Sequence, residues 1–96
     1  MLIEAPYKAG DTVTVKTVTG EELIARLVEE KPGKLVLSKP MAIMATPNGL
    51  GLGPFTFTVN PDTKIELNIN TVLFVAKTDS EMAKQYISST TGIKLV

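Results

Sequence analysis

The chain contains neither cysteine nor histidine. Without cysteine it has no disulfide framework, thiol nucleophile or thiolate metal site, and without histidine it lacks imidazole bases and the usual zinc ligands. The pairs Glu21-Glu22 and Glu29-Glu30 are the remaining candidates for acid catalysis or a hard cation. Neighbouring residues of a strand point to opposite faces, so we interpret these pairs as surface residues. We therefore expect no metal, no cofactor and no enzymatic activity.

The chain also lacks net charge and long apolar runs. Ten Lys and Arg residues balance ten Asp and Glu residues, and such a balance does not by itself indicate nucleic-acid binding. No apolar run approaches the roughly 18–20 residues of a membrane span. The first ten residues, MLIEAPYKAG, lack the basic and apolar regions of a signal peptide. These features predict a cytoplasmic protein with no membrane contact.

What is present is the composition of one globular domain spanning residues 1–96. Hydrophobic residues make up 44% and charged residues 21% of the 96 positions, which argues against disorder. A chain of this length buries only about 60–65% of its unfolded surface. Its core is therefore thin, and assembly with further copies would stabilise it.

Residues 11–40 hold three short apolar–polar alternations separated by two turn signals, a pattern that predicts a three-stranded antiparallel meander. The first alternation begins at Val13, and Gly20 permits a turn with positive φ. Residues 21–30 would suit a helix as well as a bent strand. The turn chemistry of Lys31-Pro32-Gly33-Lys34 favours the strand, because a returning strand follows at once.

The second half of the chain continues with β-type patterns. Residues 46–54 contain three Gly and two Pro and predict a flexible loop, with a short strand into Phe55 as an alternative for its last part. Alternation then predicts strands over residues 55–59 and 65–69, and a β-rich run follows at residues 72–75. Residues 1–10 are expected to form an extended N-terminal arm, so the barrel itself would span residues 11–77.

Residues 78–96 are expected to form a C-terminal helix and tail. Thr78 and Glu81 have capping-box spacing, and Gly92 is a plausible stop. One apolar stripe is expected to face the sheet: Met82, Ala83, Tyr86 and Ile87. The predicted fold is mainly β, a small, strongly bent antiparallel barrel of five or six strands with a C-terminal helix.

Two segments carry a resemblance to a known family. The first resembles the first motif of Sm and Sm-like proteins, and it consists of Val13-x-Val15, Gly20, Leu23-x-Ala25-x-Leu27 and Leu35-Val36-Leu37. The second, Asn68 to Val75, is similar to the second motif of that family. The phrases TGEELIARL and SKP, the Gly/Pro-rich middle and the ending EMAKQYISSTTGIKLV also resemble the small Sm-like proteins encoded by marine phages, which would place the protein in the cytoplasm of a bacterial host.

The resemblance implies a five-stranded Sm-like barrel whose fourth strand pairs with the fifth strand of a neighbour. Such pairing closes a homo-oligomeric ring of about five to seven subunits and removes exposed strand edges. The residues expected at this interface are Ile65, Leu67, Ile69, Val72 and Phe74. The family binds single-stranded RNA around the pore of the ring through two corner loops.

The corner loops of this chain depart from the family pattern. Lys34 stands where the family has a base-reading Asn, and Asn68-Ile69 stands where it has Arg-Gly. The expected nucleic-acid contacts are Lys31, Lys34, Asn68 and Asn70, which would bind RNA weakly and with little sequence preference. In the alternative interpretation the lysines are solvated, the asparagines bond their own corner, and the ring is a structural or adaptor subunit without nucleic acid.

Overall fold

The structure is a computed structural model that describes residues 6–90, and it consists of a six-stranded antiparallel sheet followed by one helix. The prediction of a mainly β fold with a C-terminal helix is therefore confirmed. A 3-10 turn, Ile69–Thr71, joins the last two strands. The elements are β1 (Thr12–Thr17), β2 (Glu22–Lys31), β3 (Lys34–Thr46), β4 (Gly49–Pro54), β5 (Ile65–Asn68), β6 (Val72–Lys77) and α1 (Ser80–Thr90).

The strand order is β4-β3-β2-β1-β6, and β5 also pairs with β3. Residues 34–37 of β3 pair with β5 and residues 41–46 pair with β4. Because β2 occupies the other side of β3, β4 and β5 lie one after the other along the same side. Within residues 6–90, β5 pairs only with β3 and β6 only with β1, so the sheet is not closed on itself.

The meander predicted for residues 11–40 is confirmed as β1, β2 and the first part of β3. The turns between these strands contain Gly20 at φ +102° and Gly33 at φ +75°, where side chains other than glycine are strained. Residues 21–30, which would also have suited a helix, belong to β2. Two register shifts interrupt the pairing of β2 with β3, and irregularities of the bulge type bend a sheet.

The largest buried cluster lies on one face of the bent sheet, and Ile24 and Val36, at intervening positions, are buried as well. Its members come from alternate positions of the first three strands, as the period of two requires. Leu67 of β5 and Val75 of β6 pack against it from the two ends of the sheet. The buried cluster consists of Val13, Val15, Leu23, Ala25, Leu27, Leu35 and Leu37.

Helix α1 is attached to the sheet by a single buried side chain, Tyr86. The Tyr86 hydroxyl lies 3.1 Å from the carbonyl oxygen of Ser38 and 2.8 Å from that of Lys39, to which it donates. Lys39 is the one non-glycine residue with positive φ among those described, at +49°. The helix thus holds β3 at the point where its backbone departs from regular strand geometry.

The loop predicted at residues 46–54 is wrong over Gly49–Pro54, which forms β4, the short strand that leads into Phe55. Glycine lowers strand propensity, but here Gly53 is buried because the side chain of Met44 lies over it. Pro54 stands at the last position of β4, where a missing N–H does not interrupt the ladder. Cross-strand packing and backbone pairing therefore outweigh composition.

The strand predicted at residues 55–59 is also wrong, because these residues form bends. Phe55 packs against the core, whereas Phe57 is 86% exposed, so the alternation does not mark one buried face. On the adjoining side of β3, β4 pairs with residues 41–46 and β5 with residues 34–37, which leaves only the three residues 38–40 between them. Residues 55–59 consequently have no strand there with which to pair.

The cap predicted for the helix also needs correction. The Asp79 carboxylate accepts a hydrogen bond from the N–H of Met82 at 3.3 Å, whereas the Thr78 hydroxyl bonds that of Thr14 at 2.9 Å. Ile87, expected in the buried stripe, is exposed.

The predicted stop at Gly92 and residues 1–5 of the arm lie outside the described residues. Within residues 6–90, no helix has the length and apolar character needed to cross a membrane.

Candidate functional site

The β2–β3 turn and the turn after β5 meet at one end of the sheet. Lys34 is paired with Asn68, and the N–H of Ile69 donates to the carbonyl of Gly33 at 2.9 Å. The pairing therefore brings together residues that are more than 30 positions apart in the sequence. We call this exposed group the corner surface, and it consists of Lys31, Lys34, Glu66, Asn68 and Asn70.

The two lysines of the corner surface share one acidic partner. Lys31 Nζ lies 2.9 Å from Glu66 Oε2, and Lys34 Nζ lies 3.9 Å from Glu66 Oε1. The hydrogen bond and charge of Lys31 lower the pKa of Glu66, and the same contact raises the pKa of Lys31. A phosphate would have to compete with this carboxylate for both ammonium groups.

The asparagines of the corner surface lie in the turn between β5 and β6. Asn68 Oδ1 accepts the backbone N–H of Asn70 at 3.0 Å, and the carbonyl of Asn68 accepts the Thr71 hydroxyl at 2.7 Å. The Asn68 carbonyl oxygens therefore shape the turn, while its side-chain NH₂ still offers two donors. Asn70 is exposed.

Two residues at this end of the sheet were not predicted from the sequence: Glu66, within the corner surface, and Tyr7, near it. Glu66 carried only the signal of a polar position in an alternating strand, and its contact with Lys31 depends on the β3–β5 register. Tyr7 comes from the N-terminal arm, packs against the core and donates from its hydroxyl to Glu30 at 2.9 Å. Burial and the Glu30 carboxylate raise the pKa of Tyr7. An aromatic ring therefore lies near the β2–β3 turn, but it is held by the chain itself.

The unpaired edges of β5 and β6 form a second feature of functional interest. The N–H of Ile69 points to β3 and the N–H of Thr78 donates to Thr12 of β1 at 3.1 Å. Alternate residues of a strand turn their N–H groups to opposite sides. The outward N–H groups therefore include those of Glu66 and Asn68 on β5, and of Val75 and Lys77 on β6.

The residues predicted at a subunit interface fall into two groups. Leu67 and Val72 pack against the core of their own chain, and Ile65 is half-buried. Ile69 and Phe74 are exposed and available to a partner. Leu73, which was not predicted, is 62% exposed. Leu73 lies opposite the register shift between Lys16 and Thr17 of β1. The sequence does not reveal this shift, so it gives no sign that Leu73 is exposed.

These surfaces offer groups for hydrogen bonding, for ion pairing and for strand pairing with a partner. The corner surface offers hydrogen-bond donors and one positive charge in excess, from two lysines that share one glutamate, and the β5 and β6 edges offer backbone groups beside apolar side chains. Among residues 6–90, no cluster of three or more acidic side chains could hold a metal ion. In comparisons with known proteins, no family model and no curated protein matches this chain.

Proposed function

We propose that this protein is the subunit of a closed homo-oligomeric ring of Sm-like type, with about five to seven copies. The observation that carries the proposal is the strand order, which within residues 6–90 leaves an unpaired edge on β5 and on β6, besides the outer edge of β4. Pairing β5 of one subunit with β6 of the next covers these two edges in every copy, while the outer edge of β4 stays open. A closed ring thereby removes edges that would otherwise invite aggregation.

The side chains along β6 support the same assembly. Leu73 and Phe74 are 62% and 53% exposed, and they lie beside the outward N–H of Val75. Large apolar side chains next to free backbone groups are unfavourable in an isolated subunit. Strand addition would cover these side chains and satisfy the backbone groups together.

A charged residue at Leu73 tests this proposal. Leu73→Asp should convert the ring into monomers at micromolar concentration, because the aspartate would be buried without a partner at the interface. The matched control is Phe57→Asp, at an 86% exposed position outside the two edges, which should leave the assembly intact. Both substitutions are at exposed sites, so the subunit should stay folded. Equal masses for the two variants in light scattering would refute an edge-to-edge ring.

A structural or adaptor role for this ring is the function that the corner surface supports best. Glu66 engages both Lys31 and Lys34, and the Asn68 side-chain oxygen serves its own turn. The net charge of zero adds no general attraction for a polyanion. The corner surface is therefore largely satisfied within the subunit.

Weak binding of single-stranded RNA is the second candidate. It is favoured by the convergence of Lys31, Lys34 and Asn68 on one exposed surface, which a ring would repeat in every subunit. No aromatic ring or arginine belongs to the corner surface, and each stacked base contributes about 1–3 kcal/mol. The expected binding is accordingly weak and insensitive to base identity.

Fluorescence anisotropy across a salt series decides between the two roles. If RNA binds at the corner surface, Lys31→Ala with Lys34→Ala should weaken oligo-uridine and oligo-adenosine alike. The same double change should lower the salt slope by roughly one to two units, at about 0.7 per phosphate contact. Lys84→Ala, on the exposed side of α1, is the control. Absence of binding by the parent protein would leave the structural role, and a tenfold preference for one base would contradict weak selectivity.

A further inference from the structure

A cleft of about 270 Å³ opens beside Lys39, whose positive φ marks a kink in β3. It lies where β4 and β5 leave residues 38–40 of β3 without a partner on that side. Its apolar wall includes Met41, Phe55, Val59 and Ile65, and the end of α1 borders it at Thr90. This volume is near the lower end of the range for ligand pockets, roughly 300–1,000 Å³. The cleft therefore suits a small molecule with an apolar body.

Lys39 is the only charged residue on the wall of the cleft among the described residues. Its backbone is held by the hydrogen bond from Tyr86 to its carbonyl, at 2.8 Å. Its Nζ lies 3.1 Å from Asp62 Oδ1. The Asp62 side chain is 85% exposed and contributes little binding energy, as is usual for a surface ion pair. Asp62 thus marks a position from which a carboxylate reaches Lys39.

We propose that this cleft binds a small aliphatic monocarboxylate. The ligand carboxylate pairs with Lys39 Nζ in place of Asp62, and the hydrocarbon chain lies against Phe55, Val59 and Ile65. The exchange replaces one carboxylate by another and leaves Asp62 in solvent, so its electrostatic cost is small. Burial of the hydrocarbon chain supplies the net gain.

The conformation of the loop that carries Asp62 does not depend on the ion pair with Lys39. The backbone N–H of Asp62 donates to Asn60 Oδ1 at 2.8 Å, and the N–H of Thr63 donates to the carbonyl of Asn60 at 2.9 Å. These bonds involve the Asp62 backbone and not its carboxylate. The side chain can therefore turn away while the loop keeps its shape.

The chemistry of the cleft discriminates against related ligands. An alkylamine of the same length would meet the ammonium of Lys39, and like charges repel. An alcohol would keep the apolar contacts but lose the charge-assisted hydrogen bond, which is roughly twice as strong as a neutral one. The proposal concerns the subunit alone and does not depend on ring formation.

Titration of the full-length protein followed by ¹H–¹⁵N NMR tests the proposal. Butanoate, pentanoate and hexanoate at pH 7 should shift the amide signals of Thr56, Asn60 and Thr63. Affinity should rise about fourfold with each methylene group, toward a Kd of about one millimolar for hexanoate. Hexan-1-ol and hexylamine, titrated in the same way, should each bind at least about tenfold more weakly.

Variants separate the two parts of the site. Lys39→Gln keeps most of the side chain and removes its charge, so hexanoate should bind about tenfold more weakly. Lys64→Gln, which is exposed and absent from the cleft wall, should bind like the parent. Val59→Trp should fill the cleft and abolish binding with Lys39 intact.

Several results would overturn the proposal. These are shifts that do not localise to the cleft, equal binding of hexan-1-ol and hexanoate, or unchanged affinity in Lys39→Gln. If Lys39→Gln fails to fold, the Val59→Trp variant decides, because Val59 is an exposed loop residue. Undiminished binding by that variant would exclude the cleft.

Discussion

Glu66 determines the chemistry of the corner surface at the scale of single residues. It accepts a hydrogen bond from Lys31 and lies 3.9 Å from the ammonium of Lys34. This contact lowers the pKa of Glu66 from its ordinary value of 4.5 and raises that of Lys31 from 10.5. The pair therefore stabilises the fold only while both groups are charged.

The pH dependence of this pair can be measured. Because the folded pKa of Glu66 is depressed, its contribution is present above about pH 4.5 and is lost as pH falls through the folded pKa. For Lys31 the contribution to stability is present below about pH 10.5 and is lost as pH rises through its raised pKa.

Glu66→Gln should lower the urea midpoint slightly at pH 7 and not at pH 2.5. Glu29→Gln, which removes only a minor electrostatic influence on Lys31, should have a smaller effect at pH 7. A Glu66→Gln deficit that is equal at both pH values would contradict the assignment.

Single residues show where sequence reasoning succeeds. Gly20 and Gly33 were assigned to turns correctly because the requirement for positive φ is local. The role of Glu66 was not predictable, since it depends on a register between strands about 30 residues apart. The packing of Tyr7 against the core and its hydrogen bond to Glu30 could not be predicted from the sequence for the same reason.

At the scale of elements, the attachment of α1 to the kink in β3 is the contact that can be tested most directly. Tyr86 is 3% exposed, and its hydroxyl serves the carbonyls of Ser38 and Lys39. Tyr86→Phe should destabilise the protein by about 0.5–1.5 kcal/mol in urea unfolding, because a buried hydrogen bond is lost without a change in packing. Ile87→Ala, on the exposed side of the same helix, should change stability by less than about 0.5 kcal/mol. Equal effects would mean that Tyr86 is not the attachment point.

The elements also show the limits of pattern and propensity. Composition predicted a loop where β4 forms, because glycine and proline are rare in strands, and alternation predicted a strand where residues 55–59 bend. In both places the secondary structure is determined by whether the segment can pair with β3, which is a tertiary effect. The helix was predicted correctly, but its first turn is capped by Asp79, since Thr78 is engaged by Thr14 of β1.

At the scale of the whole molecule, β5 and β6 each have an edge that no other strand within residues 6–90 covers, as does β4 at the end of the strand order. The core is built from β1, β2 and β3, and it is completed by Leu67 of β5 and Val75 of β6. β5 and β6 thus pack one face inward and present an unpaired backbone outward. The sequence alone indicated the thin core and the β-rich runs, whereas the positions of β5 and β6 in the sheet required the structure.

The mass of the parent protein in solution tests the ring most directly. Light scattering at micromolar concentration should report about 50–70 kDa, which corresponds to five to seven copies of the 10.3 kDa chain. A closed ring should keep one mass across a concentration series, whereas open strand addition would increase it with concentration. A mass near 10 kDa throughout the series would contradict the proposed ring.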